Sequence, residues 1–144
     1  MSAVRVTLVR PVHSGVYGVY RPLKRNVRRD ATPQHREIKP PLGLLYLAGA
    51  LESIGVDVTI IDAEPDVLSN EDIMERIVAS VPHFVGVTST TPEFHLATDI
   101  IRRVKRHDSD IVTIMGGAHV SALPEESLKD CPDIDYVVVG EGEE

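Results

Sequence analysis

The sequence predicts an open α/β fold, a five-stranded parallel sheet doubly wound with helices, Rossmann/flavodoxin-like in type. Three observations carry this. Short apolar runs suited to buried strands alternate with stretches of helical periodicity. Each connection between strands is about a dozen residues or longer, as parallel pairing requires. Right-handed crossovers then favour the order 2-1-3-4-5, with ligands bound beyond the carboxyl ends of the strands at the switch between the first and third.

The elements follow in order. Residues 4–9 (VRVTLV) alternate and then thicken into apolar residues, the first strand. Residues 10–39 show neither periodicity and far exceed the usual strand-to-helix loop of about 2–6 residues. Eight basic residues (Arg10, Arg21, Lys24, Arg25, Arg28, Arg29, Arg36, Lys39) face only Asp30 and Glu37 there, in a chain of net charge −7. Such a loop is a mobile solvated insertion or a flap that meets an anionic ligand or partner domain.

Pro40-Pro41 opens the first helix, whose apolar stripe is Leu44, Leu47, Ala48, Leu51 and Ile54, with Gly55 as its C′ residue. Residues 56–62 form the second strand. Its terminal Asp62 stands where an acid in a nucleotide fold can bind a ribose hydroxyl. Ser69 to Asp72 spell a capping box ahead of Ile73, Ile77 and Val81.

The central strand, residues 84–87, runs into four hydroxyls, Thr88, Ser89, Thr90 and Thr91, and then Pro92-Glu93, a helix start. This makes a polar ledge above the sheet edge. The third helix buries Phe94, Ala97, Ile101 and Val104, and its basic last turn complements the helix dipole. Residues 111–115 form the fourth strand and end in Gly116-Gly117, where no Cβ obstructs a close approach. Ala118 and His119 follow, then a helix start at Leu123-Pro124. A fifth strand over 136–139 leads to Gly140-Glu141-Gly142. With four helices for five strands, the last helix is absent, and a fragment of a longer protein is the expected source.

Composition excludes several classes. The 144 residues suffice for one domain with its own core. Aromatic content of 4% without Trp, and net charge −7, argue against nucleic acid as a partner. No apolar run approaches the roughly 18 residues of a membrane span, and no signal peptide opens the chain, so a cytoplasmic location without membrane contact is expected. The single Cys131 excludes an internal disulfide and any in-chain cysteine cluster. A phosphoacceptor domain needs acids where Val9-Arg10-Pro11 and Thr88-Ser89 stand. A dinucleotide fold needs G-x-G-x-x-G at the first turn, which is missing. No catalytic residue can be assigned.

Four runs together, Pro40 to Ala48 (PPLGLLYLA), Val85 to Pro92 (VGVTSTTP), Gly116 to Val120 (GGAHV) and Gly140 to Glu143 (GEGE), resemble the N-terminal cobalamin-binding domain of cobalamin-dependent radical SAM enzymes. That family includes anaerobic magnesium-protoporphyrin monomethyl ester cyclases and methyltransferases. The resemblance implies that Thr88, Ser89, Thr90 and Thr91 line the cavity for the nucleotide tail. It implies that the tail passes over Gly116 and Gly117, with Ala118, His119, Gly140, Glu141 and Gly142 completing the cofactor-binding set.

The D-x-H-x-x-G motif of histidine-ligating cobalamin domains is replaced by Pro11-Val12-His13-Ser14-Gly15-Val16. The implied cofactor is therefore base-off cobalamin with no histidine on cobalt, neither His13 nor His35, and no metal-ligating residue is assigned. The 4Fe–4S cluster and S-adenosylmethionine belong to a radical SAM domain expected downstream, since one cysteine cannot hold the cluster. The expected function is a cobalamin-binding module of a radical SAM methyltransferase or oxidative cyclase, not catalytic alone. The alternative is a degenerate domain without cofactor, serving as a structural or interaction element.

Overall fold

The structure, a computed structural model, describes residues 3–12 and 39–143. The expectations for most of the basic loop, and for His13 and His35, fall outside the described residues.

Strand β1 (Arg5–Arg10) leads through the loop to helix α1 (Leu42–Ser53), then β2 (Asp57–Asp62), α2 (Asn70–Ser80) and β3 (Phe84–Thr88). A 3-10 turn (Thr91–Glu93) runs into α3 (Phe94–His107), followed by β4 (Val112–Gly116), α4 (Ala118–Ala122), α5 (Pro124–Asp130) and β5 (Tyr136–Val137). All pairings are parallel and the order is β2-β1-β3-β4-β5, the predicted doubly wound topology.

Two elements differ from expectation. The fourth crossover is two short helices, because Leu123 precedes a proline and adopts φ −134°, ψ 59°, which breaks the helix before Pro124 restarts it. Strand β5 holds two residues, not four. Only Ile114 and Met115 face it in register, and beyond the Val138 N–H bond to Met115 O (2.9 Å) the chain turns away at Gly140.

Helix α2 starts as predicted. Ser69 Oγ accepts from Asp72 N (3.1 Å) and Asp72 Oδ2 accepts from Ser69 N (2.9 Å), so two orphan donors are satisfied reciprocally. The basic turn of α3 is spent inside the protein. Arg103 pairs with Asp99 (2.7 Å) and Glu71 (3.1 Å), and Lys105 pairs with Asp135 (2.6 Å). No helix among the described residues is long and apolar enough to cross a membrane.

The two faces of the sheet are covered unequally, and this positions the site. Toward α2 and α3, Val9, Val85, Val87 and Met115 are at most 2% exposed, packed on Ile73, Ile77, Ile100 and Ile101. On the opposite face α1 lays Leu44, Leu47, Ala48 and Leu51 over Val6, Leu8, Val58 and Ile60. Beyond α1, Phe84, Gly86, Ile114 and Gly116 remain only half-buried. A parallel sheet is ordinarily covered on both sides. Here one side is an open apolar groove.

Asp135 ties the start of β5 to β4, accepting from Thr113 N (2.8 Å) as well as from Lys105. Burial raises its carboxyl pKa, but the Lys105 ammonium and the Thr113 bonds outweigh that and hold it below the usual range. A depressed carboxylate stabilises the fold above its unfolded value, near pH 4, and that stabilisation is lost as pH falls through the folded value. Asp135→Asn is therefore expected to cost about 1 kcal/mol at pH 7, with exposure of a third of the side chain limiting the effect. Urea midpoints at pH 7 and pH 3 should converge between parent and variant at the acid end. A constant gap would show that the carboxylate charge contributes nothing.

Candidate functional site

The same-face alternation of a parallel sheet sets the floor of the groove in layers. From the amino ends upward these are Val6 with Phe84, then Leu8 with Gly86 and Ile114, then Arg10 with Thr88 and Gly116 at the carboxyl rim. Helix α1 supplies one wall through Leu44, Leu47 and Leu51, while Val138 and the run Gly140 to Glu143 supply the other. The groove encloses about 780 Å³ and opens at the rim beside Gly116 and Gly117.

The hydroxyl ledge is partly consumed by the protein. Ser89 is buried, its N–H donates to Gly116 O (3.0 Å), its carbonyl accepts from His119 N (3.1 Å), and its hydroxyl donates to Thr90 O (2.9 Å). Ser89 latches the end of β3 to the end of β4 and is not among the residues that line the groove. Thr91 and His119 act together: Thr91 Oγ1 lies 3.1 Å from His119 Nδ1, and the imidazole stacks on Phe94 with centroids 4.0 Å apart. His119 is buried in that contact, which fixes the helix starts on either side of the rim. Thr88 lines the groove, and Thr90 is exposed. Ala118 is exposed outside the groove lining.

The two rim glycines have different causes. Gly117 adopts φ 100°, ψ −178°, and a Cβ there would lie 2.6 Å from Ser89 O and 2.8 Å from both Ser89 N and Thr88 Oγ1. Glycine at 117 is demanded by the protein's own latch, so its presence needs no ligand to explain it. Gly116 has ordinary φ, and a Cβ there would meet only Val138 Cβ at 4.0 Å. The space above Gly116 is the groove mouth itself. Gly140, with φ 81°, donates its N–H to Ser121 Oγ (3.1 Å), and Gly142 lies against Val138 and Leu47, so this run with Glu141 closes the groove's side.

Asp62 is not available to a ribose. Arg10 forks onto it with two bonds of 2.8 Å, and Arg10 Nη1 donates to Lys39 O (2.9 Å). This pair joins the carboxyl ends of β1 and β2, and Arg10 borders a smaller cavity of about 320 Å³ lined also by Pro11, Glu64, Thr88, Thr90 and Glu93. Cys131 is buried, and burial pushes its thiol pKa up, which disfavours the thiolate. Among the described residues no three His, Cys, Asp or Glu side chains converge on a metal position.

The groove floor is what the sequence reasoning missed. Leu8, Phe84, Ile114 and Val138 read as ordinary core residues, since periodicity shows that a strand is apolar on a face and not whether that face is covered. One signal was present. An isolated glycine within a strand, Gly86, marks a close approach to the sheet. A Cβ there would meet Leu8 Cδ2 at 2.9 Å.

Comparison with known proteins gives the following. Residues 36–144 match the family described as B12 binding domain. Over 106 residues the chain is 39% identical to an anaerobic magnesium-protoporphyrin IX monomethyl ester cyclase of Rubrivivax gelatinosus, covering 73% of this chain and 19% of that protein. Over 104 residues it is 40% identical to an uncharacterized methyltransferase of Pyrococcus horikoshii, covering 72% of this chain and 22% of the relative. The chain thus spans about a fifth of the length of these relatives. The radical S-adenosylmethionine methyltransferase TsrM from Kitasatospora setae, solved with cobalamin and a 4Fe–4S cluster, superposes with a TM-score of 0.72 at 23% identity. The superposition covers 99% of this chain and 23% of that one, a likeness of fold.

Proposed function

The chain belongs to the B12-binding domain family, and from that premise we propose that it is the cobalamin-binding module of a radical SAM methyltransferase or oxidative cyclase. The observation that carries this reading is the rim at Gly116, where the absence of a Cβ leaves an open mouth into a groove deep enough for a nucleotide tail. Thr88 and Gly116 border the tail's entry, Gly86 deepens the floor, and Gly140 to Gly142 flank it. Cobalamin supplies cobalt-centred methyl or radical chemistry, while this chain's residues bind and orient it.

The module is not catalytic alone. Its one cysteine cannot hold a 4Fe–4S cluster, and relatives of which the match covers only about a fifth, with the likeness to a radical S-adenosylmethionine methyltransferase, support a radical SAM domain in the same polypeptide. Cobalamin would be held base-off without a protein histidine, because the first loop lacks the D-x-H-x-x-G motif; His119, in contact with Thr91 and Phe94, would not be its ligand.

The test is to mix the purified chain with hydroxocobalamin, desalt it, and record its colour and the electron paramagnetic resonance of the reduced cobalt(II) form. A coloured protein lacking axial-nitrogen splitting is expected. A colourless protein at every concentration would favour the structural alternative. Nitrogen splitting lost in His13→Ala or His35→Ala would establish a histidine ligand.

A further inference from the structure

We infer that the outward face of helix α1 binds the same face of a second copy of this chain, as an antiparallel helix pair about a two-fold axis. The helix has two apolar faces. One, formed by Leu44, Leu47, Ala48 and Leu51, lies on the sheet. The other, Leu42, Leu45, Tyr46 and Gly49, recurs at the same three- and four-residue spacing on the opposite side and is exposed. Leu42, Leu45 and Tyr46 are 59%, 46% and 68% exposed. Glu52 is the only charged residue in the helix, whereas a surface helix ordinarily carries charges along its outer face.

The partner is identified by the way this face complements itself. In an antiparallel pair of identical helices, residues whose numbers share one sum stand opposite each other, and every contact occurs twice. The register that sets Leu45 against Tyr46 at the axis also sets Leu42 against Gly49, and brings Lys39, just ahead of the helix, to Glu52. Each of these pairs is complementary. A leucine meets a glycine, and the seat is open, since a Cβ at Gly49 would have no atom within 4 Å. The tyrosine stands at the centre, where an aromatic anchor is best shielded from water. Opposite charges, both exposed, meet at the two ends, and the antiparallel helix dipoles add to their attraction. A parallel pair would instead set Lys39 against Lys39 and Glu52 against Glu52.

Twelve residues make a helix about 18 Å long. The contact is therefore small, below the roughly 1,200 Å² of a stable complex, and the dimer is weak and concentration-dependent. It leaves the proposed corrinoid site open, because of these four residues only Leu42 also borders the groove.

Sedimentation equilibrium of the chain from about 5 µM to about 500 µM should show a mass rising from one copy towards two, with a dissociation constant on the order of tens of micromolar. Leu45→Asp should stay monomeric throughout, with an unchanged urea midpoint at the dilute end. Gly49→Leu separates a shaped seat from a face that is merely apolar. It should raise the urea midpoint, because glycine weakens a helix interior, and yet weaken the dimer. Lys39→Glu and Glu52→Lys should each weaken association at least about fivefold, since like charges then meet twice, and the double exchange should restore it.

A chain that stays monomeric at about 500 µM would overturn the inference and give this face to a different polypeptide. A Leu45→Asp variant that still dimerises, tighter association in Gly49→Leu, or a charge exchange without rescue would overturn it equally, by placing the contact on another surface or in another register. None of these readouts involves cobalamin, so a failure of the proposed function would leave the inference standing.

Discussion

Gly117→Ala is expected to destabilise the domain by about 3 kcal/mol, enough to remove a large part of its stability. Two costs add. The backbone at φ 100°, ψ −178° lies in a region that only glycine adopts without strain of order 1–3 kcal/mol. The new methyl would also occupy a position 2.6 Å from Ser89 O and 2.8 Å from Ser89 N. Relieving those overlaps pulls Ser89 from its bonds to Gly116 O and His119 N, each worth about 1 kcal/mol. The break propagates because His119 also holds Thr91 and Phe94 at the start of α3. Urea unfolding of parent and variant measures it. A loss below about 1 kcal/mol would mean that the β3–β4 latch relaxes easily, and the protein's need for glycine at 117 would have to be abandoned.

The sequence showed Gly117 as a glycine at a strand end and not its backbone conformation or its contact with Ser89. Strand order was legible because connection lengths and handedness leave few topologies. The capping box at Ser69 was legible because both partners lie within one turn. Gly116 and Gly117 were legible as a rim feature, but their division of labour was not. It depends on Ser89, 28 positions away from Gly117 by number and adjacent only through the β3–β4 register. The same holds for Asp62, which reads as a free acid at a strand end until Arg10, its register partner on β1, folds over it. His119, which the resemblance puts in the cofactor-binding set, meets Thr91 and Phe94 from another element, contacts that the sequence does not show. Local chemistry survives translation into structure; pairing across elements has to be seen.

Gly116→Leu is the converse experiment, and it should abolish cobalamin binding while leaving the fold intact. The backbone at 116 has no positive φ, and the nearest atom to an added Cβ is Val138 Cβ at 4.0 Å, so the first atom of a side chain there meets no obstacle. It projects into the groove mouth, above Thr88 and beside Val138, in the volume a nucleotide tail must cross. Stability should change by no more than about 1 kcal/mol, since replacing a strand glycine removes an entropic penalty and the leucine gains partial apolar burial. Binding should weaken at least about a hundredfold, or roughly 2.7 kcal/mol, because no small shift of the tail avoids a branched side chain fixed to the sheet. Equilibrium dialysis against hydroxocobalamin and urea unfolding of the same preparation separate the two effects. Should the variant keep the parent's affinity, the tail does not pass over Gly116. The one glycine in the rim that the fold itself does not require would then need another explanation.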